Sequence, residues 1–263
     1  MTSTVLSCDG IVLVVDPGYF PRELDELLTL SRSRGEVTML AFTHGHWDHA
    51  MGWRHFAGAE VLLNPALQAA IAEGGELIRK NLVDAEDFDR KWYIERYVDG
   101  PDVHSGITPP SFPPLSRTRG LADATSFHIG SARLCTLHLP GHSIDGLGLW
   151  SPDEGLLLVG DYLSPCEIPF IDDLASYRAT LRRLIAAIEN DVRRVLPGHG
   201  RELDQREATA IAEADLDYLD ALADCAARKD PVAAQALKLP RLHDSKEMQE
   251  HHPDNCRAAG LTL

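Results

Sequence analysis

The spacing of apolar residues along this chain changes several times, and each change marks an element. "STVLS" and "IVLVV" (Ile11–Val15) are short β-branched runs separated by Asp9-Gly10, a pairing that suits a hairpin. From Pro21 onward, Leu24, Leu27 and Leu28 recur on one helical face, with proline at the first turn. "VTMLAF" (Val37–Phe42) is a fully apolar strand. A short helix is expected from Asp48, and "EVLLN" (Glu60–Asn64) reads as another strand.

Residues 65–120 break this rhythm. Helical patterns run to Val98 and include "DRKWYIERYV", where Trp92, Tyr93 and Tyr97 offer aromatic surface. The Pro- and Ser-rich "HSGITPPSFPPLSRTRG" then reads as an irregular loop. So long an excursion is either a substrate lid or a helical pair on the body followed by a surface linker. Strands resume with "TSFHIG", "ARLCTLHL" (Ala132–Leu139), "GLGLW" and "GLLLVG" (Gly155–Gly160). An amphipathic helix is expected at Asp173–Asn190, with Leu174, Tyr177, Leu181, Leu184, Ile185 and Ile188 at helical spacing. The strand "RRVLP" follows, and the chain is mostly helical from Glu202.

Strands and helices thus occur in two similar rounds, which predicts an α/β protein with helices outside the sheets. The expected organisation is a single domain over residues 1–263. It carries a helical and loop insertion at about 65–120 and a helical extension at about 202–263.

Composition narrows the partners. The 263 residues can bury a large core, and 44% hydrophobic with 25% charged is ordinary for a globular protein. A net charge of −15 counts against nucleic acid and against an anionic membrane surface. The five cysteines have no C-x-x-C spacing, which argues against a disulfide framework and a cysteine zinc site. The first residues carry no basic region, and no apolar run approaches the roughly 18 residues that span a bilayer. The expectation is a cytoplasmic protein with free thiols acting on a small molecule; a homo-oligomer is compatible with this.

Candidate chemistry gathers just beyond the strands. Asp16 ends "IVLVVD"; His44, His46, Asp48 and His49 follow "VTMLAFT" in "THGHWDH". His142 follows "TLHLPG", Asp161 follows "LLLVG", and His199 follows "RRVLPG". Glycine neighbours most of them and permits tight turns that project a side chain from a strand end. Five imidazoles with carboxylates suit a pair of borderline divalent metals, since calcium and magnesium call for more oxygen ligands. His44 and His46 can reach one ion while Asp48 and His49 reach its neighbour. Trp53 and His55 read as packing residues, His251 and His252 as surface or helix-end residues and not further ligands, and His104, His128 and His138 lack the strand-end context.

These residues together resemble the metallo-β-lactamase superfamily of metallohydrolases, over about residues 4 to 200. The resemblance implies a four-layer αββα sandwich. It implies that His44, His46 and His142 hold a first metal and that Asp48, His49 and His199 hold a second. Asp161 would bridge both, and Asp16 would be the buried aspartate that orients the ligand loop. The family often has a strand before the segment matching "STVLS", so the first sheet is expected either to lack an edge strand or to have that edge covered by another chain.

Two metals, zinc first and iron or manganese next, would bring a shared water to hydroxide near neutral pH. The metal-bound hydroxide would attack the substrate while Asp48 relays the proton. Tyr162 and Cys166, just beyond the bridging aspartate, are candidates to line the pocket or to pack the loop. True β-lactamases of the superfamily lack the bridging aspartate. The expected activity is therefore hydrolysis of a thioester, lactone or related ester, on the glyoxalase-II-like or lactonase-like branch. The alternatives are a diiron, persulfide-dioxygenase-like redox enzyme and a phosphodiesterase or nuclease; keeping seven ligands favours the dinuclear hydrolase.

Overall fold

A computed structural model describes residues 1–56, 58–88, 111–241 and 245–263. The predicted helix around Trp92, Tyr93 and Tyr97 and most of the proline-rich loop lie outside the described residues. The chain divides into two compact units, 1–136 and 137–263.

The first unit is built on a five-stranded sheet ordered β1-β2-β3-β4-β5. β1 (Thr4–Cys8) and β2 (Ile11–Val15) form the expected antiparallel hairpin. Asp9 and Gly10 turn it with φ of 52° and 78°, the left-handed conformation of tight hairpin turns. β2 then runs parallel to β3 (Glu36–Ala41), β3 to β4 (Glu60–Leu63) and β4 to β5 (Thr118–Gly120). α1 (Pro21–Arg34) connects β2 to β3 as a parallel pair requires. α2 (Trp47–Ala50) and a 3-10 turn at Met51–Phe56 follow β3. α3 (Pro65–Glu73) and α4 (Glu76–Phe88) lead into the insertion. Val12, Val14, Leu24, Leu40, Phe42, Val61 and Leu67 form the core of this unit. β5 corrects the sequence reading: its three residues fall in the stretch expected to be irregular, and pairing with β4 makes them a strand.

The remaining strands form a sheet ordered β11-β10-β9-β8-β7-β6, from β6 (Ser126–Ile129) and β7 (Ala132–His138) onward. β8 (Leu147–Ser151), β9 (Leu156–Gly160), β10 (Arg194–Pro197) and β11 (Leu203–Asp204) lie wholly in the second unit. α5 (Leu174–Asp191), capped by Asp173 as its sequence predicts, links the parallel strands β9 and β10. α6 (Gln205–Arg228) opens on a capping box in which Asp204 and Glu207 satisfy each other's backbone. α7 (Pro231–Gln235) and α8 (Lys246–Ala258) complete the unit. Tyr177, Leu181, Leu184 and Ile188 of α5 and Leu219 and Leu222 of α6 are fully buried in one core with Leu157 and Val195 of the sheet.

Parallel neighbours end on the same edge of a sheet. Asp16 and the Thr43–His49 segment therefore share the edge beyond β2 and β3, and Asp161 and His199 share the edge beyond β9 and β10. Open α/β sheets assemble sites beyond such carboxyl ends.

One charge in the second core is held, among the described residues, by one guanidinium. Asp215 of α6 has no solvent exposure and is held by both terminal nitrogens of Arg241 at 2.5 and 3.0 Å. Burial pushes its carboxyl up to about 6, although the Arg241 guanidinium pulls the other way. A carboxyl whose folded pKa exceeds its unfolded value of about 3.9 loses stability as pH rises between the two. Removing the guanidinium leaves a buried charge uncompensated. Arg241→Ala is expected to cost about 3–5 kcal/mol near pH 7 and markedly less at pH 4, where Asp215 is protonated. Urea unfolding at both pH values measures this; equal losses would show that the ion pair is not what stabilises the region.

Candidate metal centre

In the first unit the donors hang on Asp16. It is buried, and its backbone is left-handed at φ 50°, a conformation aspartate tolerates better than most residues. One carboxylate oxygen accepts the Thr43 backbone N–H at 2.8 Å. The other accepts the Thr43 hydroxyl at 2.6 Å and the Nδ1–H of His49 at 2.9 Å. Having given its one proton to Asp16, the Thr43 hydroxyl can only accept from His44 Nδ1, 3.2 Å away.

His44 and His49 are thereby fixed with Nδ1 protonated and the Nε2 lone pair directed elsewhere. His44 Nε2 lies 2.9 Å from Nδ1 of His46. His49 Nε2 lies 3.6 Å from a carboxylate oxygen of Asp48, whose side chain is 21% exposed while that of His49 is fully buried. The tight run H-x-H-x-D-H can do this because β3 ends at Ala41 and α2 begins at Trp47. The intervening turn presents His44 and His46, and the helix presents Asp48 and His49. Asn81 of α4 steadies the helix start by accepting the Trp47 N–H at 3.1 Å.

The second unit repeats the pattern. His142 donates from Nδ1 to the Phe170 carbonyl at 2.8 Å, and its Nε2 faces Asp161 Oδ2 at 3.2 Å. The other Asp161 oxygen faces His199 Nε2 at 3.5 Å, while His199 Nδ1 faces Glu167 at 3.4 Å. Asp161 thus offers one oxygen to each of two imidazoles.

Gly141 lets His142 sit there. Its φ is 129°, and a Cβ would come within 2.3 Å of the Tyr177 backbone on α5. Its carbonyl accepts from the backbone of Asp172 and Asp173 at 2.8 and 3.0 Å. Tyr162 is buried against Tyr177; its hydroxyl accepts the His142 N–H at 3.2 Å and donates to the Pro140 carbonyl at 2.7 Å. Burial holds that phenol well above its usual pKa, so it stays a neutral donor. Cys166, by contrast, is exposed.

This arrangement fits a cation. A neutral imidazole whose Nδ1 donates to oxygen presents a lone pair at Nε2, and a carboxylate is acceptor-only. Lone pair facing carboxylate is repulsive unless a proton or a metal ion lies between them. The opposition occurs at His49 with Asp48, His142 with Asp161, and His199 with Asp161. In the first unit, donor atoms of His44 and His46, and those of Asp48 and His49, lie within 4.8 Å of each other; in the second, those of His142 and Asp161 do. Imidazole with carboxylate suits zinc, iron and manganese.

The sequence reading missed Thr43, Glu167 and the Phe170 carbonyl, each of which braces an imidazole. Thr43 and Glu167 follow no spacing rule, and a backbone carbonyl has no signal in the residue code. His252 corrects an expectation, for it is buried on the inner face of α8 and not at the surface. Its neighbour His251 is partly exposed, with 44% of its side chain open to solvent. Trp53 packs, with its indole N–H on the Ser111 carbonyl at 2.6 Å. His55 is half-buried, and desolvation pulls its imidazole below the usual pKa.

The sequence profile of the metallo-beta-lactamase superfamily matches residues 2–199, so the chain belongs to that superfamily. Its fold class is the expected α/β architecture of that family. Among curated proteins it is similar to acyl-coenzyme A thioesterase MBLAC2 of Gallus gallus. The two are 28% identical over 202 residues, covering 71% of this chain and 68% of the relative. Among solved structures it is similar to the metallo-beta-lactamase family protein TTHA1429 of Thermus thermophilus. That match has a TM-score of 0.64 at 22% identity and covers 97% of this chain and 88% of that one. TTHA1623, solved in a di-iron-bound form, matches with a TM-score of 0.52 at 22% identity over 78% of this chain and 90% of that one.

Replacing Asp16 by asparagine would put an amide NH2 in place of one acceptor oxygen and so oppose at least one of the three donors. Asp16→Asn is expected to weaken zinc binding roughly 10–100-fold, the usual cost of disturbing a group that orients ligands. Competition with a chromophoric chelator reads this directly; unaltered affinity would remove Asp16 from the site.

Proposed function

We propose that the chain is a metal-dependent hydrolase with a dinuclear centre, and that it cleaves thioesters of the acyl-coenzyme A class. His44, His46 and His142 with Asp161 hold one cation. Asp48, His49 and His199 with the same Asp161 hold the second. The observation that carries this reading is the repeated opposition of imidazole lone pair and carboxylate, which calls for positive charge in both units. Family membership supports the hydrolytic class, and the thioesterase relatives support the bond.

When bound, two divalent cations activate water near neutral pH and stabilise developing negative charge on the substrate oxygen. The chain's own residues do the rest. Asp16, Thr43, Glu167 and the Phe170 carbonyl hold four of the five imidazoles, His49, His44, His199 and His142, in the tautomer that leaves the outer nitrogen to coordinate. Asp48 is partly exposed, so its carboxylate can take the proton of the attacking water and return it to the departing thiol sulfur. The carbonyl carbon gains an oxygen and loses the sulfur, giving a carboxylic acid and a free thiol. No cysteine or serine nucleophile is needed.

Zinc is the first expectation for both positions. Metal analysis of protein purified without added metal should give two equivalents and no visible absorption; two irons with a coloured spectrum would favour the redox reading instead. A panel of acyl-coenzyme A esters, lactones and phosphodiesters, read by thiol release or acid production, should show turnover of the thioesters first. Loss of all hydrolysis from fully metallated protein would overturn the proposal. His142→Ala and Asp161→Ala are each expected to lose metal and to lower kcat/KM by about 10²–10³-fold or more, since several kcal/mol of charge stabilisation leaves with the ion.

A further inference from the structure

The family profile ends at residue 199, yet the C-terminal helix α8 reaches back into the support of a site residue. Its inner face carries Met248, His252, Asn255 and Cys256, all buried. Three of these are polar or weakly polar; Met248 and Asn255 reach the short segment 168–171 that precedes α5, and His252 stands behind them.

Asn255 is 1% exposed, and its amide is used on every side. Nδ2 donates to the Pro169 carbonyl at 2.6 Å and to the Tyr218 hydroxyl at 3.1 Å. Oδ1 accepts the Ile171 N–H at 3.2 Å. The side chain therefore grips the backbone on both sides of Phe170. Met248 Sδ receives the Ile168 N–H at 3.4 Å, and the His251 ring lies against the Phe170 ring at 4.5 Å between centroids. The far end of the segment is tied at Asp172 and Asp173, whose N–H groups donate to the Gly141 carbonyl. Between these ties stands the Phe170 carbonyl, which accepts the Nδ1–H of His142.

The grip is itself braced. His252 donates from Nε2 to the Ala234 carbonyl at 2.9 Å, so its Nδ1 accepts, and the Tyr218 hydroxyl donates to it at 2.8 Å. That fixes the hydroxyl lone pair toward Asn255 and hence which end of the amide is nitrogen. A satisfied buried network of this kind has one arrangement, and breaking any member leaves polar atoms unpaired.

We propose that α8 is a positioning element for the metal site: Asn255 fixes the Phe170 carbonyl, which holds His142 as the Nδ1–H tautomer with Nε2 directed at the cation. This rests on the proposed role of His142 as a ligand, but the tautomer is a property of the chain alone. Asn255 touches no reacting atom; it acts through Phe170 and His142.

The experiment uses the full chain with 15N-labelled histidine and compares Asn255→Leu, which keeps volume and removes all three hydrogen bonds, with Tyr218→Phe and Cys256→Ala. In metal-free protein, long-range 1H–15N spectra should show His142 as a single slowly exchanging Nδ1–H tautomer. In Asn255→Leu the ring should move toward mixed tautomers and its proton should exchange faster; Tyr218→Phe should do the same to a smaller extent. If Asn255→Leu does not fold, Tyr218→Phe carries the test. Cys256→Ala, on the same helix and touching His252 at 3.8 Å but not the segment, should lose stability and leave the His142 signals unchanged, since the Ala234 carbonyl still holds the His252 Nε2–H. Zinc affinity by chelator competition should fall about tenfold in Asn255→Leu, the lower end of the cost of disturbing a ligand's hydrogen-bond partner. An unchanged His142 tautomer in both network variants overturns the proposal, as does an equal shift in Cys256→Ala. Wild-type protein that binds no zinc while the tautomer shifts as expected would overturn the metal reading alone.

Discussion

An imidazole has two nitrogens, and a protein that wants one of them free must occupy the other. That requirement organises both halves of this molecule. Four candidate ligands have an oxygen beside Nδ1 and their Nε2 turned toward another candidate ligand: His44 and His49 through Thr43 and Asp16, His142 through Phe170, His199 through Glu167. The sheets, the glycine turns and the helix caps can all be read as means of bringing those oxygen atoms to the right nitrogen. The two halves solve the problem with different materials. The first uses one buried carboxylate for several partners, and the second uses a backbone carbonyl and a separate glutamate.

This difference explains the division of labour among the strands. Parallel β2 and β3 end side by side, so a single aspartate after β2 can serve a whole cluster after β3. In the second unit the donors come from three separate turns, and among the described residues His142 and His199 have different Nδ1 partners, the Phe170 carbonyl and Glu167. Support there is assembled from the segment 168–171, from Tyr162 and from the helices behind them. A site whose donors are dispersed needs more of the chain to keep it in order.

The strands that deliver donors were legible because each is an apolar run that stops at a glycine or at the histidines themselves. β5 and β11 were not. Three and two residues are too few to show alternation, and it is the neighbouring strand that makes them extended. The buried stripe of α8 was hidden for a different reason. Met248, His252, Asn255 and Cys256 recur at helical spacing, but His252 and Asn255 are polar and Cys256 weakly so, and the apolar pattern that betrays a buried face is missing. The chemistry of the site was readable as residue types, whereas the atoms that set its tautomers were not. They are hydroxyls and carbonyls that any sequence contains in abundance.

Asp16 carries two independent demands at once. Its backbone sits in a region open mainly to glycine, asparagine and aspartate, and its side chain must accept three hydrogen bonds with no proton of its own to give. Glycine meets the first and has nothing for the second; glutamate has the acceptors and the wrong backbone preference; asparagine brings unwanted protons. The sets of residues allowed by conformation and by bonding overlap in one member. A position of this kind has no neutral neighbours in sequence space, so drift elsewhere in the chain can proceed freely around it while this letter stays where it is.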